Sequence, residues 1–182
     1  MLSELMSILE GHGIMTVATL RPDGWPQATT VSYVNDGVIL YFLISRTSQK
    51  FANIAADERV AITIASKPNG VTDIKGLSLA AKASEARDEP YRSKMLAKLS
   101  AHHPGYFDPT ALDMTKSALM RANPTMITMI DFSKGLGHTE TVTVGTAEMT
   151  ELLAERPDNW GANPAAQQRT PRTLDADPLT LA

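Results

Sequence analysis

The sequence predicts a small antiparallel β-barrel, mainly β, with flanking helices. Short runs rich in Val, Ile and Thr alternate in polarity and recur at close spacing. The turn sequences Arg21-Pro22-Asp23-Gly24 and Asn35-Asp36-Gly37 join the early runs by too few residues for a helical crossover, which argues against a parallel α/β sheet. Helical spacing is confined to a few short segments, chiefly after the third and fifth runs.

The elements follow in order. Leu2 to Glu10 places Leu2, Leu5, Met6 and Leu9 on one helical face, and Gly11 and Gly13 end it. Ile14 to Leu20, Gln27 to Val34 and Val38 to Ile44 read as three consecutive strands, an antiparallel meander closed by the Asn35-Asp36-Gly37 hairpin. Ser48 or Thr47 caps a helix running to about Ala56, with Phe51, Ile54 and Ala55 facing inward. Arg59 to Ala65 is a fourth strand. Asp73 to Ala86 is a longer fifth, with Gly76 as the expected site of a bulge. Glu89 to Ser100 and Thr110 to Arg121 carry helical spacing around a loop from His102 to Pro109. Thr125 to Phe132 is a sixth strand, Thr139 to Val144 a short seventh, and Ala147 to Ala154 a short helix. Residues 1–154 form one domain on this reading. Residues 155–182, poor in apolar side chains, form an extension that is disordered or packed on another surface.

Composition narrows the function. Hydrophobic residues are 43% of the 182, enough for a core, but aromatics are only 5%, so Ile, Val, Leu, Ala and nine Met must fill it. The net charge of −3 is scattered, which argues against a nucleic-acid surface. Without cysteine there is no disulfide, thiolate catalysis or Cys-ligated metal. No apolar run reaches membrane-spanning length, and the first residues lack a basic, apolar leader, so a cytoplasmic protein is expected.

One stretch, Tyr41 to Asn53, combines a strand end, the hydroxyl-rich Ser45-Arg46-Thr47-Ser48 and a helix start at Gln49-Lys50. Two readings stand: a plain helix cap with solvated neighbours, or a phosphate site built from free N–H groups, the helix dipole and the charges of Arg46 and Lys50. His102-His103 lacks a third ligand at suitable spacing, so no metal site is assigned. His138, between two strands, is either a turn histidine held by a backbone carbonyl or a contact to substrate or cofactor, and it is the one catalytic candidate. Trp25 and Trp160 either pack or cover a ring. No Ser-His-Asp order and no Walker or Rossmann glycine pattern is present.

The run TVATLRPDGWPQATTVSYVNDGVILYFLISRTSQKFANIAADERVAITI resembles the FMN-binding split β-barrel family related to pyridoxamine 5′-phosphate oxidase. The shared features are an Asp-Gly-x-Pro turn, an Asp-Gly hairpin, a Tyr-Phe strand, a Ser-x-Lys loop and an Asn-Ile-Ala-x-Asp helix end. The resemblance extends from about Met15 to Ala65, more weakly to Val144, and does not cover the tail. It implies a six- to seven-stranded antiparallel split β-barrel and a homodimer with FMN at the subunit interface. By position, Ser48 and Lys50 would hold the FMN phosphate, with Arg46, Thr47 and Gln49 beside it. Thr29, Thr30, Val31 and Ser32 would run along the ring and ribityl chain, with Leu43 and Ile44 nearby.

Three departures accompany it. Gln49 stands where the oxidase has an arginine, a loss that Arg46 is expected to offset. Ala28 replaces a basic residue, and Ile44 a hydroxyl residue. The oxidase's C-terminal arginine-leucine-histidine-aspartate-arginine run is absent, which points away from vitamin B6 oxidation and toward general-stress-type flavoproteins. The expected activity is hydride or electron transfer between a reduced nicotinamide and a small molecule. The alternatives are a deazaflavin-dependent reductase on the same barrel and a non-catalytic flavin- or haem-binding stress-response protein.

Overall fold

The computed structural model describes residues 2–66 and 68–144. The expected helix Ala147 to Ala154, the extension 155–182 and Trp160 lie outside the described residues. Helix α1 (Leu2–Gly11) precedes strands β1 (Ile14–Leu20), β2 (Pro26–Ser32), β3 (Val34–Asp36) and β4 (Ile39–Ser45). Then come α2 (Gln49–Ala56), β5 (Arg59–Ala65), β6 (Lys75–Glu85), α3 (Tyr91–His102), β7 (Ser117–Asp131) and β8 (Thr139–Thr143). All pairings are antiparallel, in the order β2-β1-β5-β6-β7-β4-β3, and β8 pairs with the far half of β7. This is the curled, mainly β sheet of a split barrel.

The three-strand meander is corrected. The run Gln27 to Val34 does not stay one strand; it breaks at Tyr33, which belongs to neither β2 nor β3. β2 pairs with β1 at one edge of the sheet, while β3 pairs with β4 at the other. The chain thus carries itself across the barrel's opening by one residue. Tyr33 is fully buried, its N–H donates to Gly13 O at 2.9 Å and its hydroxyl to Leu9 O at 2.8 Å. Burial pushes its phenol above the ordinary value, so the hydroxyl stays a donor.

The expected helix from Thr110 to Arg121 is also corrected. Asp108 accepts from the N–H and hydroxyl of Thr110, and Asp113 accepts from those of Thr115, so side chains take the groups a helix would start with. From Ser117 the chain is already β7, which runs 15 residues through Pro124. Proline has no N–H for a ladder, and the ladder slips there: Ala80 faces Met126 while Ala81 faces Pro124, leaving Thr125 as the extra residue. The bulge therefore sits at Thr125 and not at Gly76. Gly76 pairs regularly, and its bare Cα is needed because a Cβ would lie 2.6 Å from Ile64 O.

Period-2 alternation fills the barrel. Val17, Ile62, Leu77, Leu79, Phe42, Met120 and Ile127 point inward, and Leu5 and Leu9 of α1 join the same core. A second cluster, Tyr41, Leu119, Met95, Leu96 and Leu99, fixes α3 against the outside of β4 and β7. The remaining outer face carries Arg59 opposite Lys82 at one end and two uncharged rows beyond them. Register aligns Ala28, Ala18, Ala61 and Ala80 in one cross-strand row, and Thr30, Thr16, Thr63 and Ser78 in the next.

At the far end of β7, Asp131 is 1% exposed and lies 3.3 Å from Lys75 Nζ. Burial opposes its ionisation but is outweighed by the Ser133 hydroxyl and N–H and by Lys75, which hold its carboxyl down to about 2. A depressed carboxylate contributes stability above its unfolded value of 3.8 and loses it as pH falls through about 2. Asp131→Asn should cost about 1–3 kcal/mol at neutral pH, and its stability should fall less steeply than that of the parent on acidification. Denaturant melts at stepped pH, read by circular dichroism, measure both.

Candidate functional site

Order in the sheet determines what is left open. β2 is the terminal strand, so one of its edges has no partner strand among the described residues. β3 is only three residues long and pairs with Ile39, Leu40 and Tyr41, so among the described residues the same edge of β4 beyond Tyr41 is unpaired as well. β2 and β4 approach each other without joining; β4 runs into the loop before α2, and Gln27 at the start of β2 bonds Asn53 of α2. Unpaired strand edges carry main-chain donors and acceptors that a flat heterocycle can satisfy.

The predicted residues divide by face. Thr29 and Val31 stand on the inner side of β2, opposite Val17 and Met15, while Thr30 and Ser32 stand on the outer side opposite Thr16 and Ile14. Thr29 Oγ1 is buried without a hydrogen-bond partner among the described residues. Leu43 packs with the α3 cluster and Ile44 with the barrel core, so what β4 offers the opening is its main-chain edge.

The loop and helix start are built as follows. Ser48 is the N-cap of α2: its Oγ accepts from Phe51 N and donates to Ser45 O at 2.6 Å. Ser45 Oγ and Thr47 Oγ1 are 2.9 Å apart, and Thr47 N donates to Ser45 Oγ. The N–H groups of Gln49 and Lys50 find no acceptor among the described residues, and neither does the Lys50 ammonium. The helix-cap reading is realised, and two donors beside it, with one cation, stay without an acceptor among the described residues.

Arg46 is drawn elsewhere. Its guanidinium makes a two-pronged pair with Glu85, donates from Nε to Met114 O at 3.0 Å and lies over the Phe51 ring. Its N–H also bonds Lys116 O. Arg46, expected to offset the missing arginine, braces the loop against β6 and β7. The Arg46 hydrogen bonds, helped by Arg87, hold the Glu85 carboxyl below its ordinary value despite burial. Gln49 likewise turns inward: its Nε2 donates to Asn53 Oδ1 at 2.8 Å.

His138 stands at the other end of the molecule. Ser117 at the start of β7 faces Ser45, whereas His138 follows the end of β7, on the order of 45 Å along the strand. Its Nε2 meets Glu140 Oε1 at 2.8 Å, beside Lys134, Asp131, Lys75 and Glu4. Trp25, at the tip of the β1–β2 turn, is 73% exposed. Among the described residues no three His, Asp or Glu side chains converge as metal ligands would. One hollow of about 300 Å³ flanks α2 on the β6 side, between Phe51, Ile54, Ala83 and Met120, but it contains none of the predicted cofactor residues.

Sequence reasoning missed Asn53, Thr19 and Gln27. Asn53 is fully buried and its Nδ2 donates to Thr19 Oγ1 at 2.9 Å and Gln27 Oε1 at 3.2 Å. The only local signal was the i, i+4 spacing of Gln49 and Asn53.

Sequence and fold comparisons agree with this architecture. The profile described as pyridoxamine 5′-phosphate oxidase matches residues 1–131. No curated protein matches by sequence. General stress protein 26 of Bacillus anthracis is similar at 19% identity and a TM-score of 0.60, over 79% of this chain and 98% of that one. An FAD-binding protein of Mesorhizobium loti is similar at 17% identity and 0.56, over 69% and 90%. The haem storage protein HutZ of Vibrio cholerae is similar at 20% identity and 0.58, over 67% and 88%. At these identities the likeness is one of fold.

If Arg46 and Glu85 act as a brace, Arg46→Ala and Glu85→Ala should each lower stability by about 1–3 kcal/mol, and the double variant by clearly less than the sum. Urea melts of the four proteins close the cycle.

Proposed function

The chain belongs to the pyridoxamine 5′-phosphate oxidase family, and from that premise we propose an FMN-binding flavoprotein. It works as a cytoplasmic homodimer that moves hydride or electrons between a reduced nicotinamide and a small molecule. One observation carries the reading: the open N–H groups of Gln49 and Lys50 and the Lys50 ammonium stand at the end of an opening flanked by two unpaired strand edges. A phosphate wants charge-assisted donors at one end, and a flat ring wants main-chain partners and apolar walls at the other. The flavin, when bound, supplies the two-electron chemistry at its ring.

The chain's own residues bind and orient. Lys50 neutralises phosphate charge, the Gln49 and Lys50 N–H groups donate to its oxygens, and the Thr47 and Ser48 hydroxyls border it. Arg46 acts indirectly, by holding the loop that carries them. The free edge of β2 at Thr29, Thr30, Val31 and Ser32 meets the ring and ribityl chain, and the lone Thr29 hydroxyl gains a partner there. Leu43 and Ile44 stiffen the facing edge of β4 from behind. His138 lies at the wrong end of its own chain for this opening and serves as an acid–base group only if a second subunit contributes it.

The uncharged outer rows support a second copy as that subunit. A sheet face of Ala and Thr at matched register suits an isologous contact, in which the same rows meet themselves.

Mass spectrometry of the chromophore released from purified protein tests the cofactor. FMN is expected, while a deazaflavin or haem would overturn the reading. Lys50→Ala should weaken FMN binding by roughly 10–100-fold with the apoprotein's melting temperature unchanged. Undiminished affinity would remove the phosphate from this loop. Light scattering of the same preparation should give a dimer.

A further inference from the structure

The flavin reading leaves unexplained how an eight-residue helix is aimed. α2 is shorter than the roughly 12–15 residues at which an isolated helix becomes marginally stable, so its placement comes from the sheet beneath it. Its apolar contacts, Phe51 and Ile54 against the barrel core, are non-directional and tolerate sliding and rotation. Arg46 braces the loop only from the β6–β7 side.

We infer that Asn53 is the positioning residue that sets the helix start against the ring-binding strand. Its carboxamide uses every directional group it has. Oδ1 accepts from Gln49, in the first turn of α2 beside Lys50, and the two N–H groups donate to Thr19 on β1 and Gln27 on β2. Gln27 and Thr29 share one face of β2, two residues apart. One buried amide therefore links the phosphate end of the opening to the strand that meets the ring. The network is neutral and fully buried at its centre, so replacing its amide leaves unpaired groups that move apart.

This inference rests on the flavin reading and extends it. FMN binds by two ends, and its second contact adds affinity only when both sites stand at the right separation. Riboflavin, which lacks the phosphate, uses the ring site alone. The measured quantity is accordingly the ratio of FMN to riboflavin affinity, which a general loss of stability does not change.

Both affinities are measured by flavin fluorescence quenching for the parent apoprotein, Asn53→Leu and Gln27→Leu, with melting temperatures alongside. The parent should favour FMN by roughly tenfold or more. In Asn53→Leu the ratio should fall roughly tenfold while riboflavin affinity changes by less than about threefold. Gln27 is half-exposed, so Gln27→Leu folds even if Asn53→Leu does not, and its ratio should fall in the same direction. An unchanged ratio in the folded variants overturns the role of Asn53 and leaves the phosphate loop standing. A parent ratio near one overturns the phosphate loop, and the inference with it.

Discussion

The break at Tyr33 is the constraint on which the rest depends. A strand that ran on from Gln27 to Asn35 would have to pair along its whole length, and the sheet would close. Instead Tyr33 is withdrawn into the core and tied to both ends of the α1–β1 link, at Leu9 O and Gly13 O. The segment before it stays with β1 and the segment after it with β4. The barrel is closed by the chain and left open by its hydrogen bonds. The interior itself is packed with side chains, so under the flavin reading the flat ring goes to that opening.

At the end of the opening, four polar residues that look alike in sequence take different work. Ser48 caps the helix, Gln49 turns in to Asn53, and Arg46 reaches across to Glu85 and Met114 O. Of these four, Lys50 keeps its charge without a partner among the described residues. An arginine is well suited to the bracing role, since its planar fork satisfies a carboxylate and a carbonyl together, whereas a lysine serves better as a point charge for phosphate. The helix start is thereby held from two sides, by an ion pair toward β6 and by a neutral amide toward β1 and β2.

Much of this was legible in the sequence. Alternation in Arg59 to Ala65 and turn chemistry at Asp23-Gly24 and Asn35-Asp36-Gly37 located strands and hairpin closely, because local physics decides them. Ser48 was readable as a cap for the same reason. The errors came where long-range partners decide. Nothing local separates the strand at Ser117 from a helix, since its burial depends on β4 and β6, and Pro124 disguised a strand that a bulge makes tolerable. Breaking Gln27 to Val34 at Tyr33 required Leu9 and Gly13. In the site, the Arg46–Glu85 pair spans 39 residues and the Asn53–Thr19 bond 34, separations that leave no pattern in a single chain.

The central claim is that the opening between β2 and β4, ending at α2, is the flavin site. Amide chemical-shift mapping of the labelled apoprotein during FMN titration tests it most directly. The account predicts the largest shifts at Gln49 and Lys50 and along Thr29 to Ser32. Shifts confined to the hollow between α2 and β6, with Gln49, Lys50 and β2 silent, would contradict it.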